Sequence, residues 1–209
     1  MDEHSHPLLE QDASSDPIAQ FGRWFAEASA STRVPEAVAL ATATADGRPS
    51  VRMVLMKQWD ERGFVFYTNK GSRKGAELET NPVCALLFYW DRLGRQVRIE
   101  GPVSQVSEAE SDEYFATRPV RAQVAARASR QSRVVASREE LDRRVRKTAA
   151  EFLDGVVPRP ESWGGFRVRP DVFEFWQNRE DRLHDRLRYT RVAAGSGGIV
   201  SWRLERLQP

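Results

Sequence analysis

The spacing of apolar residues changes along this chain, and the changes predict its elements. Over residues 16–31, "DPIAQFGRWFAEASAS", Ile18, Phe21, Trp24, Phe25 and Ala28 trace one helical face. Asp16 is placed to cap that helix and Pro17 to open it. From residue 37 to 68, "AVALATATADGRPSVRMVLMKQWDERGFVFYT" has β-branched runs broken at "ADGRP" and "DERG". These breaks are turn signals, so the stretch predicts a meander of three strands. "SRKGAELETNP" predicts a short helix that stops at Asn81-Pro82, and "VCALLFYW" and "RQVRIEGPVSQVS" predict two more strands. Ser107 with Glu110, and Ser137 with Glu140, have the spacing of capping boxes. They predict helices over "EAESDEYFATRP" and "REELDRRVRKTAAEFLDG", the second closed by Gly155 and burying Leu141, Val145, Ala149 and Phe152. "WGGFRVRPDVFEFWQN" and "IVSWRLERLQP" predict the last strands, with "AAGSGG" as a loop. Six or more strands with short connections and no strand–helix–strand rhythm predict a mainly β fold, an antiparallel barrel with flanking helices. Residues 1–15 are expected to form a disordered tail and residues 16–209 a single domain.

Composition narrows the function. The chain has 209 residues, 40% of them hydrophobic, enough for a sizeable core. Lys and Arg number 32 against 30 Asp and Glu, and the net charge of +2 argues against a nucleic-acid partner. No apolar run approaches the length of a membrane span. The acidic start "MDEHSHPLLEQ" lacks the apolar segment of a secretory signal, so a cytoplasmic protein is expected. The single cysteine, Cys84, allows no internal disulfide and lies in an apolar run, where it reads as a small buried hydrophobe. No metal site is expected: His4 and His6 are weak ligand candidates in a polar tail. There is no HExxH motif, acidic metal cluster or nucleophile elbow.

Other segments carry candidate chemistry. In "RMVLMK", alternation sets Arg52, Val54 and Met56 on one face and Met53, Leu55 and Lys57 on the other. A strand this apolar is expected to be mostly buried, so its cations need an anionic ligand or a carboxylate. "NKGSRKG" places Ser72, Arg73 and Lys74 where a strand gives way to a helix, a setting for a phosphate or simply a solvated turn. "EYFATRP" puts Tyr114 and Arg118 four apart on one helical face, either a phosphate clamp or a surface pair. "SRQSR" adds Gln131 and Ser132. "DRLHDRLRY" holds His184, the only histidine beyond residue 6, between Arg182 and Arg186. Taken together, these clusters beside an apolar barrel fit a cofactor with a flat ring and a phosphate tail, with a second phosphate nearby.

"RMVLMK", "FVFYTNKGSRKGAELETNP", "LLFYW", "RQVRIEG", "YFATRP", "RQS", "WGGFRV", "EFWQ" and "RLHDR" occur in the order and spacing of one family. Over about residues 16–209 the chain resembles the pyridoxine/pyridoxamine 5′-phosphate oxidases. The resemblance implies an FMN-binding split β-barrel, homodimeric, with FMN at the interface. It implies oxidation of pyridoxine or pyridoxamine 5′-phosphate to pyridoxal 5′-phosphate, with O₂ reduced to peroxide. By the same resemblance Arg52, Met53, Val54, Leu55, Met56 and Lys57 line the FMN with Tyr67, Thr68, Arg73 and Lys74. Gln96, Gln131, Ser132, Trp176 and Arg186 complete the flavin site, partly from the other subunit. Lys57, Tyr114 and Arg118 correspond to a clamp for the substrate phosphate. Arg182 and His184, alternate residues of an extended segment, correspond to groups over the substrate ring. There are departures too: Ala122 stands where the family usually has serine, Arg127 where it has tryptophan, and residues 1–15 show no match to its N-terminal lid. Two other readings are an FMN oxidase of reduced phenazine intermediates and a split barrel that binds flavin or pyridoxal phosphate without turnover.

Overall fold

A computed structural model describes residues 7–153, 155–192 and 201–209. In chain order the elements are α1 (Pro17–Ser31), β1 (Ala37–Ala43), β2 (Pro49–Asp60), β3 (Gly63–Asn69), α2 (Arg73–Thr80), β4 (Val83–Trp90), β5 (Arg95–Gln105), α3 (Glu108–Thr117), α4 (Val120–Ala128), α5 (Arg138–Glu151), β6 (Trp163–Val168), β7 (Val172–Gln177), β8 (Asp185–Val192) and β9 (Ser201–Arg206). All pairings are antiparallel. The strand order is β4-β1-β2-β3-β6-β5-β7-β8-β9, and pairing of β4 with β5 closes six strands into a barrel, leaving β7, β8 and β9 outside the ring.

Strand β5 serves three partners, closing the ring between β4 and β6 and carrying β7 outside it. Residues 95–100 pair with β7 while 103–105 pair with β6, so the strand bends at Gly101-Pro102. A Cβ at Gly101 would lie 2.0 Å from the Arg169 carbonyl oxygen, so only glycine fits there. Inside the barrel, α1 delivers Phe21, whose ring centroid lies 4.8 Å from that of Phe64 and 5.1 Å from that of Phe88. The Asp16 carboxylate accepts from the Ile18 N–H at 3.0 Å, the cap expected from the sequence. Cys84 is buried as expected, and burial pushes its thiol up to about 12, so it is no reactive thiolate.

The sheet's other face is unusually apolar. Val51 and Met53 of β2 oppose Ala41 and Ala39 of β1, which oppose Ala85 and Leu87 of β4. Opposed residues share a face, and here Val51 is 68% and Met53 62% exposed, with Leu55 and Tyr89 exposed on the same side. The expectation that this strand is mostly buried therefore holds only for its inward positions: Met56 is buried, and Arg52 and Val54 partly so.

Other expectations are corrected. Residues 7–15 are packed rather than a free tail. Leu8 is buried, its N–H donates to Asp185 Oδ2 at 3.0 Å, and its carbonyl accepts from Arg206 Nη2 at 2.8 Å. Tyr189 Oη donates to the Ser14 carbonyl at 2.7 Å. The polar composition concealed one apolar anchor and a row of backbone partners. Helix α5 ends at Glu151, and Gly155, at φ +77°, serves the turn beyond it. Its supposed stripe is not fully buried, because α5 packs on the short helix α4 and not on the sheet. Helix α4 itself was not foreseen, since its alanine-rich sequence has neither a side-chain cap nor a clear stripe. His4, His6 and the loop 193–198 lie outside the described residues. Among the described residues no helix is long and apolar enough to cross a membrane, and no group of His, Cys, Asp or Glu is placed to hold a metal.

Candidate active site

A cavity of about 820 Å³ opens between β2, β3, the start of α2, the α3–α4 junction and the loop 129–133. Its wall includes Arg52, Met53, Val54, Leu55, Lys57, Tyr67, Thr68, Arg73, Lys74, Tyr114, Arg118, Gln131 and Ser132, so thirteen of the expected site residues converge from five segments. That volume suits a small-molecule cofactor with its substrate.

One end of the cavity is cationic. Ser72 caps α2, accepting from the Gly75 N–H at 3.4 Å, and this aims Arg73 and Lys74 at the cavity. A Cβ at Gly75 would stand 1.9 Å from the Lys70 carbonyl oxygen, so the tight entry to α2 requires glycine. Lys74 is only 6% exposed, yet its Nζ donates to neutral oxygens: Thr68 Oγ1 at 3.1 Å, Ser72 Oγ at 3.2 Å and Gln131 Oε1 at 3.2 Å. Burial, and then the like charge of Arg52, push its pKa below the usual lysine range. Ser132, beside Gln131, is held at φ +69°, a costly conformation for a serine.

The other end is aromatic. Tyr67 stacks on Tyr114 with centroids 4.1 Å apart and on Trp163 at 5.4 Å. The Arg118 guanidinium lies 4.8 Å from the Trp163 ring centroid, and its carbonyl accepts from Gln123 Nε2 at 2.8 Å, fixing the turn that carries it. Arg118 Nη1 is buried without a hydrogen-bond partner, and burial lowers the pKa of this guanidinium. Burial likewise raises the Tyr67 and Tyr114 phenols, which stay protonated as donors. Lys57 Nζ sits 3.4 Å from Glu36 Oε1.

The remaining expected residues are elsewhere in the protomer. Met56 points into the core and does not line the cavity: it is buried, whereas Arg52 and Val54 on the same face of β2 are only partly buried and reach the cavity. Gln96, Trp176 and Arg186 are in register across β5, β7 and β8, forming one row on the sheet's outer face. Arg186 Nε donates to Glu174 Oε1 at 2.8 Å, and that bond raises its pKa. His184 packs against Trp176 with centroids 4.6 Å apart. Its Nδ1 accepts from the Arg179 N–H at 3.0 Å, which leaves the proton of the neutral imidazole on Nε2. Arg182 is exposed at φ +62° in the turn before β8. Arg182 and His184 are therefore not alternate residues of a strand, as β8 begins at Asp185. Trp163 and Glu77 were missed as site residues, although "WGGF" and the four-residue spacing of Arg73 and Glu77 were both visible.

The profile described as pyridoxamine 5′-phosphate oxidase matches residues 25–151, and that described as pyridoxine 5′-phosphate oxidase C-terminal dimerisation region matches residues 163–209. The chain belongs to the pyridoxamine 5′-phosphate oxidase family. It is an FMN-dependent oxidoreductase. A pyridoxine/pyridoxamine 5′-phosphate oxidase of Rubrobacter xylanophilus is 59% identical over 203 residues, covering 97% of this chain and 91% of that protein. One of Burkholderia multivorans is 55% identical over 97% of this chain and 93% of its own length. Among solved structures, PhzG from Burkholderia lata 383, in complex with tetrahydrophenazine-1-carboxylic acid, superposes with a TM-score of 0.90 at 37% identity, covering 99% of this chain and 100% of that one.

The cavity fits this family's cofactor. A buried ammonium bonded only to neutral oxygens calls for an anion, and Lys74 stands beside Arg52 and Arg73 at one end of a space large enough for a flavin ring.

Proposed function

We propose that this chain oxidises pyridoxine or pyridoxamine 5′-phosphate to pyridoxal 5′-phosphate, with O₂ reduced to H₂O₂, as a homodimer holding FMN at the subunit interface. The observation that carries this reading is a pair of incompletely neutralised cations in one cavity: buried Lys74 at one end and half-buried Arg118, whose buried Nη1 has no hydrogen-bond partner among the described residues, at the other. Two such cations fit two phosphates, one on the cofactor and one on the substrate. A cytoplasmic setting fits the lone buried Cys84.

In this reading Arg52, Arg73 and Lys74, with Thr68, Gln131 and Ser132, hold the FMN phosphate and its polar chain. When bound, FMN supplies the hydride acceptor and passes the electrons to O₂. Lys57, Tyr114 and Arg118 bind the substrate phosphate, with the two cations and the phenol O–H all donating. Arg182 and His184 of one protomer lie over the substrate in its partner's cavity. His184 offers an Nε2–H donor to the substrate, because its Nδ1 is occupied by the Arg179 N–H. Gln96, Trp176 and Arg186 reach the flavin from the same side, since they and His184 form one patch outside the barrel.

The likeness to PhzG supports a second reading, oxidation of a reduced tricyclic acid. The phosphate clamp favours the vitamer, because Lys57, Tyr114 and Arg118 together offer two cations and a phenol donor, a set that suits the three oxygens of a phosphate better than the single carboxylate of a tricyclic acid. Aerobic turnover of FMN-reconstituted protein, with aldehyde and peroxide followed together, tests the choice. Stoichiometric aldehyde and peroxide from a phosphorylated vitamer are expected. A yellow protein inert towards both vitamers but active on a reduced phenazine carboxylate would overturn the assignment.

A further inference from the structure

Glu77 is the most heavily bonded carboxylate beside the cavity, and the chemistry proposed above gives it no part. It lies one turn after Arg73 on α2, with its side chain 4% exposed. It stands behind the cavity wall rather than on it. Its Oε2 accepts from Thr42 Oγ1 at 2.5 Å, Ser50 Oγ at 2.6 Å and Arg52 Nη2 at 3.2 Å, and its Oε1 accepts from Arg73 Nε at 2.8 Å. Ser50, Arg52 and Arg73 all line the cavity. Burial alone would raise this carboxyl, but the bonds from Ser50, Thr42, Arg73 and Arg52 outweigh it and hold the pKa at about 2. Glu77 is therefore a fixed anion.

Where Glu77 grips each arginine matters. Arg73 is held by Nε, which leaves its two terminal nitrogens for a ligand, and its side chain is otherwise 61% exposed. Without that grip a long side chain would have to be ordered at the moment of binding. Arg52 is held at both terminal nitrogens, Nη2 by Glu77 and Ser50 and Nη1 by Leu40 and Thr42, so its guanidinium is fixed in place and turns only its Nε and its charge to a ligand. Charge points the same way. Arg52, Arg73 and Lys74 with Glu77 sum to +2, matching a phosphomonoester that carries between about −1.5 and −2.

We infer that Glu77 is a positioning residue for phosphate recognition, gripping Arg73 and Arg52 from behind so that a cofactor phosphate meets guanidinium groups already in place. The inference rests on the proposed placement of the FMN phosphate at this end of the cavity. The carboxylate also repels a phosphate, but it lies against the guanidinium groups and outside the cavity, so the loss of orientation dominates when it is removed.

The test compares FMN with riboflavin, which has the same ring and lacks the phosphate, on the full-length protein stripped of flavin, using quenching of flavin fluorescence. Wild-type protein is expected to prefer FMN; equal affinities would refute the phosphate placement itself and leave the role of Glu77 without a basis. In Glu77→Gln the Kd for FMN should rise by about tenfold, the loss of roughly one charge-assisted hydrogen bond, with the Kd for riboflavin unchanged. In an Arg73→Ala background the same change should cost less, because the arginine it orients is gone. Equal loss for both flavins would make Glu77 a scaffold residue, and unchanged or tighter FMN binding would also overturn the inference. Should Glu77→Gln fail to fold, Glu77→Asp keeps the charge but withdraws it by one methylene; the same selective loss of FMN affinity is expected, and a loss shared by riboflavin overturns the inference.

Discussion

The sharpest consequence of the proposed dimer is that one inactive variant should rescue another. Arg118 lines the cavity, whereas Arg182 lies in the turn between β7 and β8, away from the cavity and inside the region matched to family dimerisation. In the proposed dimer each site therefore takes Arg118 from one protomer and Arg182 from the other. Arg118→Ala removes a half-buried cation whose Nη1 has no hydrogen-bond partner among the described residues, so the loss falls on the substrate. A charge-assisted hydrogen bond of about 2–3 kcal/mol corresponds to roughly 30- to 150-fold in kcat/KM. Arg182→Ala changes an exposed side chain in a turn and should spare folding and FMN content while lowering turnover. When the two variants are co-expressed and assort at random, half of the dimers are mixed. Each mixed dimer holds one site with both arginines and one with neither, so about a quarter of all sites recover full activity. The assay is aldehyde formation per bound FMN, with differently tagged subunits to verify mixing. If verified mixed dimers are no more active than the parents, Arg118 and Arg182 serve the same protomer's site, and the shared-site argument is wrong.

Three further outcomes follow from the same geometry. Lys74→Met removes a buried ammonium that has no carboxylate partner, so the flavin-free protein should be as stable as wild type or more so. Its FMN affinity should fall by about 30- to 150-fold, checked by thermal melts and flavin titration; the opposite pattern would make Lys74 a structural cation. Glu77, held at about 2 against an ordinary 4.5, lends stability that is complete above the unfolded value and is lost as pH falls from about 4.5 towards 2. The amount is about 3 kcal/mol, so urea unfolding of the flavin-free protein should lose that much across this window, and Glu77→Gln should flatten the dependence. Gly75→Ala drives a methyl group into the Lys70 carbonyl at 1.9 Å, a backbone clash that cannot relax through a rotamer. It should cost about 3 kcal/mol or more and release FMN, whereas a normal melting temperature would show that the entry to α2 can shift.

The barrel was legible because its signals are local. Turn residues at "ADGRP" and "DERG", the Asp16 and Ser107 caps and period-two apolar runs each fix one element within a few residues. The resemblance named thirteen residues that the structure places on one cavity wall. What could not be read was decided by tertiary context. Leu8 is one apolar residue in a polar tail, and only the folded position of Asp185 and Arg206 gives it a place. The α5 stripe has the right period, but the surface it faces is another short helix. Arg182 looked extended in sequence, yet the turn around it holds φ at +62°. Glu77 is an ordinary i,i+4 partner of Arg73 on paper; that it also collects Thr42, Ser50 and Arg52 depends on the packing of α2 against β1 and β2.

Strand β2 ties the two halves of the proposal together. Its outward residues Val51 and Met53 share one face with Leu87 and, further across the sheet, with the row Gln96, Trp176 and Arg186. Its inward residue Arg52 joins Glu77 at the cationic end of the cavity. A partner that covers Val51 and Met53 removes exposed apolar surface of the kind that rarely stays bare on a monomer. In the proposed dimer, a two-fold related copy placed there would set the row of one protomer against the cavity of the other, because both border the same face. Cofactor binding and dimerisation then draw on the same strand, so each should favour the other. Adding FMN at a hundred times its Kd should stabilise the dimer by about 2.7 kcal/mol for each of its two sites, about 5 kcal/mol in all, over the flavin-free state, if separated protomers bind none. Sedimentation of dilute protein with and without FMN reads this directly, and a dimer whose dissociation ignores FMN would place the cofactor wholly within one protomer.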